Sequence, residues 1–279
     1  MIPEGRSRRG VLGGLIAAGG ALTLGAAATP TAAGAGTDAG ADRSGAKATV
    51  VLVHGVFADA SGWNAVTSRL LKAGHQVLAP ANPLRDPAGD AAYLSGILAG
   101  LSGPVILVGH SYGGEVITNA ARGHAHVKAL VYVAAFAPDE GESALQLARE
   151  FPGSRLEDAL VLRPLPDGSD AEGSIDPAKF HDVFAQDLPR ATTGVMAVSQ
   201  RPGSVGGLAG PSGAPAWRSL PSWYVVAGAD RVIPPALQRF MAGRAGSRTV
   251  EVKGASHVVM MSRPDAVVRQ IEAAYRATR

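Results

Sequence analysis

The feature that most constrains this chain is a regular alternation of short, wholly apolar runs with amphipathic stretches from Lys47 onward. Runs such as 49–53 are rich in valine, which is typical of a strand buried on both faces of a sheet. This alternation predicts right-handed βαβ units in a parallel sheet covered on both sides. The predicted strands lie at 49–53, 76–79, 104–108, 129–134, 222–227 and 249–252, and the helices around them at 63–73, 89–101, 115–122 and 264–276.

The alternation breaks between residues 138 and about 215, where loops rich in proline and glycine replace the strands. We find no convincing strand there, only helical pieces at 143–150, 178–187 and 191–199. The sequence therefore predicts an α/β domain over 47–279, with a mostly parallel, doubly wound sheet and a small helical cap inserted after the strand at 129–135. Such a cap would overhang the carboxyl ends of the strands, where open α/β sheets bind ligands.

The first 33 residues have the pattern of an export signal. Arg8 and Arg9 precede an uncharged apolar run, and small residues follow it. This order is typical of a secretory signal peptide, and the adjacent arginines resemble the twin-arginine type. An uncleaved membrane helix is the alternative, but the run is short and interrupted by glycines. We therefore expect cleavage after Ala28 or Ala33, a flexible lead-in over 34–46, and an exported protein with no stable membrane anchor after processing.

Composition and charge argue against several classes of function. The formal net charge is +3, but residues 1–33 carry three arginines against one glutamate, so the rest of the chain is close to neutral. No cluster of basic residues interleaved with aromatics follows, so nucleic-acid binding is not expected. The chain contains no cysteine, which excludes disulfides, thiolate catalysis and cysteine metal sites.

A Gly-x-Ser-x-Gly sequence centred on Ser111 follows the predicted strand at 104–108. Glycine is abundant in this chain, so the motif alone is weak evidence and a plain glycine-rich turn is the alternative. Its position between a buried strand and a helix strengthens it, because a nucleophilic serine of this type sits on a sharp strand-to-helix turn. The helix N-terminus behind Ser111 also favours a developing negative charge. We therefore predict Ser111 as a nucleophile.

An acyl-transfer enzyme needs backbone N–H groups that stabilise an oxyanion, and the loop after the first strand offers one. The donors predicted are the N–H groups of Val56 and Tyr112, with Phe57 as the alternative to Val56. His54, at the start of the same loop, is expected to organise the loop rather than to act as a base.

A nucleophilic serine also needs a general base and an acid that orients it, in the chain order Ser, Asp or Glu, His. Asp230 follows the strand at 222–227, and His257 follows the strand at 249–252. Both lie at the same predicted sheet edge as Ser111. Asp139 and Glu140, after the fourth strand, are the competing acids. A helix cap for Asp230 and an ordinary loop histidine for His257 are the alternatives to catalytic roles.

With these residues in place, the chain resembles the α/β-hydrolase superfamily, most of all the branch of small esterases and hydroxynitrile lyases that includes the plant methylesterases. The resemblance lies in the segments 51–55, 105–114, 224–240 and 257–264. It implies that Asp230 is the catalytic acid and His257 the base. Cyanohydrin-cleaving members tend to carry Thr and Lys where this chain has Gly55 and Val258, so the resemblance favours hydrolysis.

We therefore expect a serine hydrolase, of the carboxylesterase type, that cleaves small or medium apolar esters or lactones without a metal or organic cofactor. Phe57, Phe136 and Trp217 are predicted to line the substrate pocket. The alternatives are lyase chemistry, cofactor-free perhydrolase chemistry on the same three residues, and a non-catalytic binding protein of this fold. The expected partner is a small-molecule ester, and the sequence makes no prediction of oligomeric state.

Overall fold

The computed structural model describes residues 47–279, so the predicted export signal and lead-in lie outside the described residues. Six parallel strands form the central sheet: β1 (Thr49–Val53), β2 (Gln76–Leu78), β3 (Val105–His110), β4 (Val127–Val133), β8 (Ser222–Ala227) and β9 (Arg248–Val252). They pair in the order β2-β1-β3-β4-β8-β9. The four central strands are almost entirely buried because their apolar runs face covering layers on both sides, whereas the edge strands β2 and β9 are partly exposed. The parallel α/β fold predicted from the sequence is confirmed.

The direction of each crossover explains how the helices cover the sheet. The chain steps from β1 to β2 in one direction and then back past β1 to β3, so right-handed connections place α1 and α2 on opposite faces. Helix α10 packs with α1, whereas α3 packs with α2. These helices are α1 (Asn64–Lys72), α2 (Pro87–Ala99), α3 (Tyr112–Ala120), α8 (Pro235–Arg244), the short α9 (Val259–Ser262) and α10 (Pro264–Thr278).

The cap lies between β4 and β8 and contains the predicted helices together with a small sheet that the sequence did not reveal. Its helices are α4 (Ala144–Glu150), α5 (Pro177–Phe184), α6 (Arg190–Val198) and α7 (Val205–Ala209). Its antiparallel strands pair in the order β5-β6-β7 and are β5 (Leu160–Pro164), β6 (Ala171–Ile175) and β7 (Gly203–Ser204).

The expectation that this segment contains no strand was wrong, and the reason lies in the composition of the cap strands. Strand β5 is mostly exposed and ends in a proline, and β6 contains a glycine and a glutamate, so neither has the apolar run of a core strand. The hairpin closes through a backbone bond from Leu165 N–H to the Asp170 carbonyl, 2.8 Å long. These strands therefore form because the segments pair with one another, and not because each has a high β-strand propensity. Within residues 47–279, no helix is long and apolar enough to cross a membrane.

Candidate active site

Ser111 occupies a strained turn between β3 and α3. Its backbone has φ of 56° and ψ of −128°, and residues other than glycine rarely adopt such a positive φ. The flanking glycines permit the turn, since a Cβ on Gly109 would lie 2.5 Å from the Gly113 carbonyl oxygen, and one on Gly113 would lie 2.5 Å from the Val53 oxygen. Backbone hydrogen bonds fix the turn further, including one of 3.0 Å from Phe136 N–H to the Ser111 carbonyl.

The loop after β1 lies directly against Ser111. A Cβ on Gly55 would be 2.6 Å from the serine Cβ and 3.1 Å from its Oγ, so only glycine fits. His54 is buried and organises this loop: its Nδ1–H donates to the Gly55 carbonyl (2.9 Å) and its Nε2 accepts from the Asn82 backbone N–H (3.0 Å). Burial lowers the pKa of His54. These bonds are those of a neutral imidazole holding a loop.

The two candidates for the donor on this loop differ in their hydrogen bonds. The N–H of Phe57 already donates to the Arg201 carbonyl at 3.0 Å, which leaves Val56 as the better donor to a bound oxyanion. The other donor, Tyr112, is the first residue of α3, so its N–H has no partner within the helix. Both positions border Ser111, Tyr112 by sequence and Val56 through its neighbour Gly55.

Asp230 and His257, 27 residues apart in sequence, meet in a buried ion-pair geometry at the carboxyl edge of the sheet. His257 Nδ1 lies 2.7 Å from Asp230 Oδ2, and both side chains are fully buried. The Asp230 carboxylate is an acceptor only, so the imidazole carries its proton on Nδ1 and leaves a lone pair on Nε2. The Oδ1 atom of Asp230 accepts from the N–H groups of Val232 (2.7 Å) and Ile233 (3.0 Å).

Sequence reasoning missed Gln238, which also holds Asp230. The buried Nε2 of Gln238 donates to Asp230 Oδ2 (2.8 Å) and to the Ile233 carbonyl (2.8 Å), and its Oε1 accepts from Ala227 N–H (2.9 Å). Nothing in the sequence pointed to Gln238, which lies in the first turn of α8, because a glutamine carries no catalytic motif of its own.

No hydrogen bond joins the side chains of Ser111 and His257 within residues 47–279, but the residue before the serine contacts His257. His110, which precedes the serine, has its ring centroid 4.6 Å from that of His257 and its Nε2 2.9 Å from the His257 carbonyl oxygen. The Nε2 of His257 is buried and has no hydrogen-bond partner among residues 47–279. Bonds between a nucleophile and its base are commonly long before substrate binds. The direct contact of Nε2 with the serine hydroxyl therefore stays a prediction.

The competing acids are engaged elsewhere. Asp139 pairs with Arg218 at 2.6 Å, and Glu140 lies 4.0 Å from the same guanidinium. Hydrogen bonds and the nearby arginines hold the pKa of Asp139 below its ordinary value despite the opposing effect of desolvation. Asp139 is therefore committed to an ion pair that His257 does not share.

His257 is fully buried, and an aromatic ring from the cap packs against it. The centroid of the Phe184 ring, from cap helix α5, lies 5.0 Å from that of the imidazole, and the two ring planes are inclined at 63°. Burial and the adjacent His257 lower the pKa of His110 well below its ordinary value, so His110 is neutral and adds no charge beside His257. Exclusion of water strengthens the electrostatic interactions within such a site.

Phe57 lines two cavities, and Ser111, Asp230 and His257 line neither of them. One has a volume of about 230 Å³ and is mostly apolar, with Arg149 and Glu157 among its lining residues; the others are Phe57, Leu145, Leu160, Leu162, Gly173, Gly203, Val205 and Leu208. The other, about 30 Å³, lies between Phe57, Met196 and Val258. Phe136 and Trp217 line neither cavity; the Trp217 indole N–H instead donates to the Pro138 carbonyl at 3.0 Å.

The described chain offers no evident metal site. Within residues 47–279, no three His, Cys, Asp or Glu side chains converge in an arrangement suited to a metal ion.

Comparison with known proteins assigns the chain to a family. The sequence profile described as the alpha/beta hydrolase family matches residues 50–270, which is most of the chain. The protein is an alpha/beta hydrolase. This assignment confirms both the fold and the resemblance inferred from the sequence motifs.

Individual relatives of this alpha/beta hydrolase carry esterase names. A carbendazim hydrolyzing esterase of Nocardioides sp. (strain SG-4G) is 39% identical over 116 residues, which cover 36% of this chain and 47% of that esterase. Putative methylesterase 19 of Arabidopsis thaliana is 28% identical over 246 residues, covering 78% of this chain and 94% of that protein. The crystal structure of polyneuridine aldehyde esterase shares the fold, with a TM-score of 0.70 and 22% identity over 82% of this chain and 99% of that one.

A buried acidic cluster lies behind the serine turn of this hydrolase. The Tyr112 hydroxyl donates to Asp90 Oδ2 at 2.9 Å. Glu115, also on α3, is fully buried, and neither of its carboxyl oxygens has a hydrogen-bond partner among residues 47–279. Burial, with the Asp90 carboxylate nearby, raises the pKa of Glu115 well above its ordinary value. The carboxyl is therefore protonated in the folded state at pH values where an exposed glutamate is ionised.

The contact between Gly55 and Ser111 gives the first testable prediction. Gly55→Ala should lower kcat/KM for p-nitrophenyl acetate by about tenfold to a hundredfold, because the new Cβ displaces the serine or the loop by a substantial fraction of an ångström. Gly96→Ala is the matched control, since a Cβ there meets nothing within 4 Å, and it should leave kcat/KM unchanged. Full activity in Gly55→Ala would contradict the close approach described above.

The buried Glu115 gives a prediction about stability. Because its carboxyl holds a proton more tightly in the folded state, the free energy of unfolding should fall as pH rises above the ordinary glutamate pKa, by about 1.4 kcal/mol per pH unit while only the unfolded chain is ionised. Glu115→Gln should remove this slope, so in urea titrations the variant should gain stability relative to the parent as the pH rises above the ordinary glutamate pKa. The exposed Glu150→Gln is the control, and equal slopes in all three proteins would refute the prediction.

Proposed function

We propose that this alpha/beta hydrolase cleaves small apolar carboxylic esters through an acyl-enzyme on Ser111. The observation that carries the proposal is the buried contact of 2.7 Å between His257 Nδ1 and Asp230, beside a serine on a strained turn. The coarser part of the function, an esterase-type hydrolase, agrees with the family and with the esterase names of its relatives.

The proposed reaction has two halves. His257 Nε2 takes the hydroxyl proton of Ser111 as the serine oxygen bonds to the ester carbonyl carbon, and then gives that proton to the departing alkoxide as the ester C–O bond breaks. Water next attacks the acyl-enzyme with the same base, which releases the acid and restores the serine. Asp230 fixes the Nδ1–H tautomer and stabilises the imidazolium that forms transiently.

The negative charge that develops on the carbonyl oxygen needs donors already in place. The N–H groups of Val56 and Tyr112 are proposed to supply them, and the N-terminus of α3 adds a favourable dipole. Because Gly55 has no side chain, a carbonyl group has access to the space beside the serine Oγ. These groups are part of the folded backbone, so little reorganisation is needed at the moment of reaction.

The cavity beside Phe57 supports a small apolar substrate. A volume of about 230 Å³ is below the range of about 300–1,000 Å³ typical of sites for drug-sized ligands, yet it exceeds the roughly 150 Å³ known to admit benzene. One aromatic ring or a short acyl chain would fit. Lactones of similar size belong to the same proposed substrate class.

Hydrolysis is favoured over cyanohydrin cleavage by two positions. Gly55 has no side chain, and Val258 is a fully buried hydrocarbon directly after the base. Neither position offers a hydroxyl or an ammonium group to bind a departing cyanide ion.

Substitution of the three proposed catalytic residues tests the function. On p-nitrophenyl acetate and butyrate, Ser111→Ala should lower kcat by at least about 10³-fold because it removes the nucleophile, and Asp230→Asn should lower kcat by about 10²–10⁴-fold because it removes the carboxylate that orients the imidazole. Asp139→Asn is the matched control and should retain activity. Equal turnover by Ser111→Ala, or loss of activity only in Asp139→Asn, would overturn the assignment.

We also propose that the protein is exported, which rests on the arginine pair Arg8–Arg9 and the apolar run after it. N-terminal sequencing of secreted protein should begin near Thr29 or Gly34, and replacing both arginines with lysine should retain the precursor inside the cell. An intact Met1 on membrane-bound protein would contradict the proposal.

A further inference from the structure

The turn that follows cap helix α5 contacts both loops that carry the proposed acid and base. Helix α5 ends at Phe184, whose ring covers His257, and the next residues, Ala185 to Leu188, form a tight turn closed by a bond of 3.1 Å from Leu188 N–H to the Ala185 carbonyl. The two side chains inside this turn, Gln186 and Asp187, point away from the cap and into the catalytic domain.

Each of these side chains binds the residue immediately before a proposed catalytic residue. Gln186 Nε2 donates to the carbonyl of Ala229 at 2.7 Å, one residue before Asp230. Asp187 Oδ2 accepts from the backbone N–H of Ser256 at 3.1 Å, one residue before His257. Two consecutive cap residues thus hold the acid loop and the base loop separately.

One oxygen of each side chain has no hydrogen-bond partner within residues 47–279, which lowers the stability of the folded state. Gln186 Oε1 and Asp187 Oδ1 are buried without a hydrogen bond among residues 47–279. A buried polar atom left unpaired lowers stability by about 1–3 kcal/mol and in native proteins calls for an explanation. A role in positioning the catalytic loops would explain why two such atoms are tolerated side by side.

The two loops have few other ties to each other. Apart from the side-chain contact of Asp230 with His257, they are joined by backbone bonds from Ala229 N–H to the Ala255 carbonyl (2.9 Å) and from Gly228 N–H to the Val252 carbonyl (3.0 Å). Proton transfer depends on alignment, and a displacement of about 1 Å can reduce a rate about a hundredfold. Additional restraints on these loops therefore bear directly on the rate.

We infer that Gln186 and Asp187 are positioning residues: the turn after α5 clamps the Asp230 and His257 loops, so the seating of the cap sets the alignment of the acid–base pair. Neither side chain touches the substrate in this scheme. The inference rests on the proposed function, because it assigns the clamp to the same acid and base.

Variants at Asp187 test the clamp against a merely structural role. Asp187→Ala removes the acceptor for Ser256 N–H and should lower kcat for p-nitrophenyl butyrate by about tenfold to a hundredfold, with KM changed by less than about twofold. Asp187→Asn keeps an acceptor oxygen at the same place and should restore kcat to within about threefold of the parent. Gln186→Ala, which frees Ala229, is the second variant and should also lower kcat rather than raise KM.

The control variant, Asp176→Ala, weakens helix α5 without altering a contact to the Asp230 or His257 loop. Asp176 caps the N-terminus of α5 by accepting from Ala178 N–H at 2.9 Å, so Asp176→Ala destabilises α5 but should keep kcat. Thermal unfolding of every variant confirms that it is folded. Unchanged kcat in both Asp187→Ala and Gln186→Ala, an equal loss in Asp176→Ala, or failure of Asp187→Asn to restore kcat would overturn the clamp. If Ser111→Ala is inactive while these results occur, the clamp fails and the proposed function stands; an active Ser111→Ala refutes both.

Discussion

The parallel pairing of β1 with β3 is the contact on which the site depends. Their register places Val53 opposite Gly109, so the loop after β1 and the turn after β3 leave the sheet side by side. At that point the backbone after β1 and the backbone after β3 lie so close that a Cβ atom between them would overlap its neighbours. Glycines at 55, 109 and 113 allow this approach because they have no Cβ. The strained backbone of Ser111 and the space beside its hydroxyl both follow from this approach.

Two buried carboxyl groups near this point show opposite solutions to the cost of burying a charge. Asp230 accepts four hydrogen bonds, from two backbone N–H groups, Gln238 and His257, which compensate an ionised carboxylate for the loss of water. Glu115 has no such donors, and desolvation raises its pKa. The first carboxyl is therefore suited to stabilise an imidazolium, and the second is held neutral behind the serine.

The cap contacts both the apolar cavity beside Phe57 and the proposed acid–base pair of Asp230 and His257. Its small sheet and α4 and α7 line the apolar cavity beside Phe57, while the end of α5 covers His257 and reaches the loops on either side. At the edge of the cap sheet, β7 lies against the loop after β1, since a Cβ on Gly203 would lie 2.4 Å from Val56 Cγ1. A cap seated in this way covers His257 and borders the apolar cavity.

The sequence by itself determined the core of this protein, because strands buried on both faces leave continuous apolar runs and their carboxyl ends meet at one edge. That rule, with the Gly-x-Ser-x-Gly motif and the family resemblance, was enough to predict Ser111, Asp230 and His257 at one edge of the sheet, while Asp139 and Glu140 stayed open as alternative acids. Only the tertiary structure decided the rest: the cap strands, which form by pairing between weakly β-prone segments; the support of Asp230 by Gln238; and the hydrogen bond that occupies Phe57 N–H and favours Val56. The sequence could not show which cavity Trp217 lines either, because that depends on contacts between distant segments.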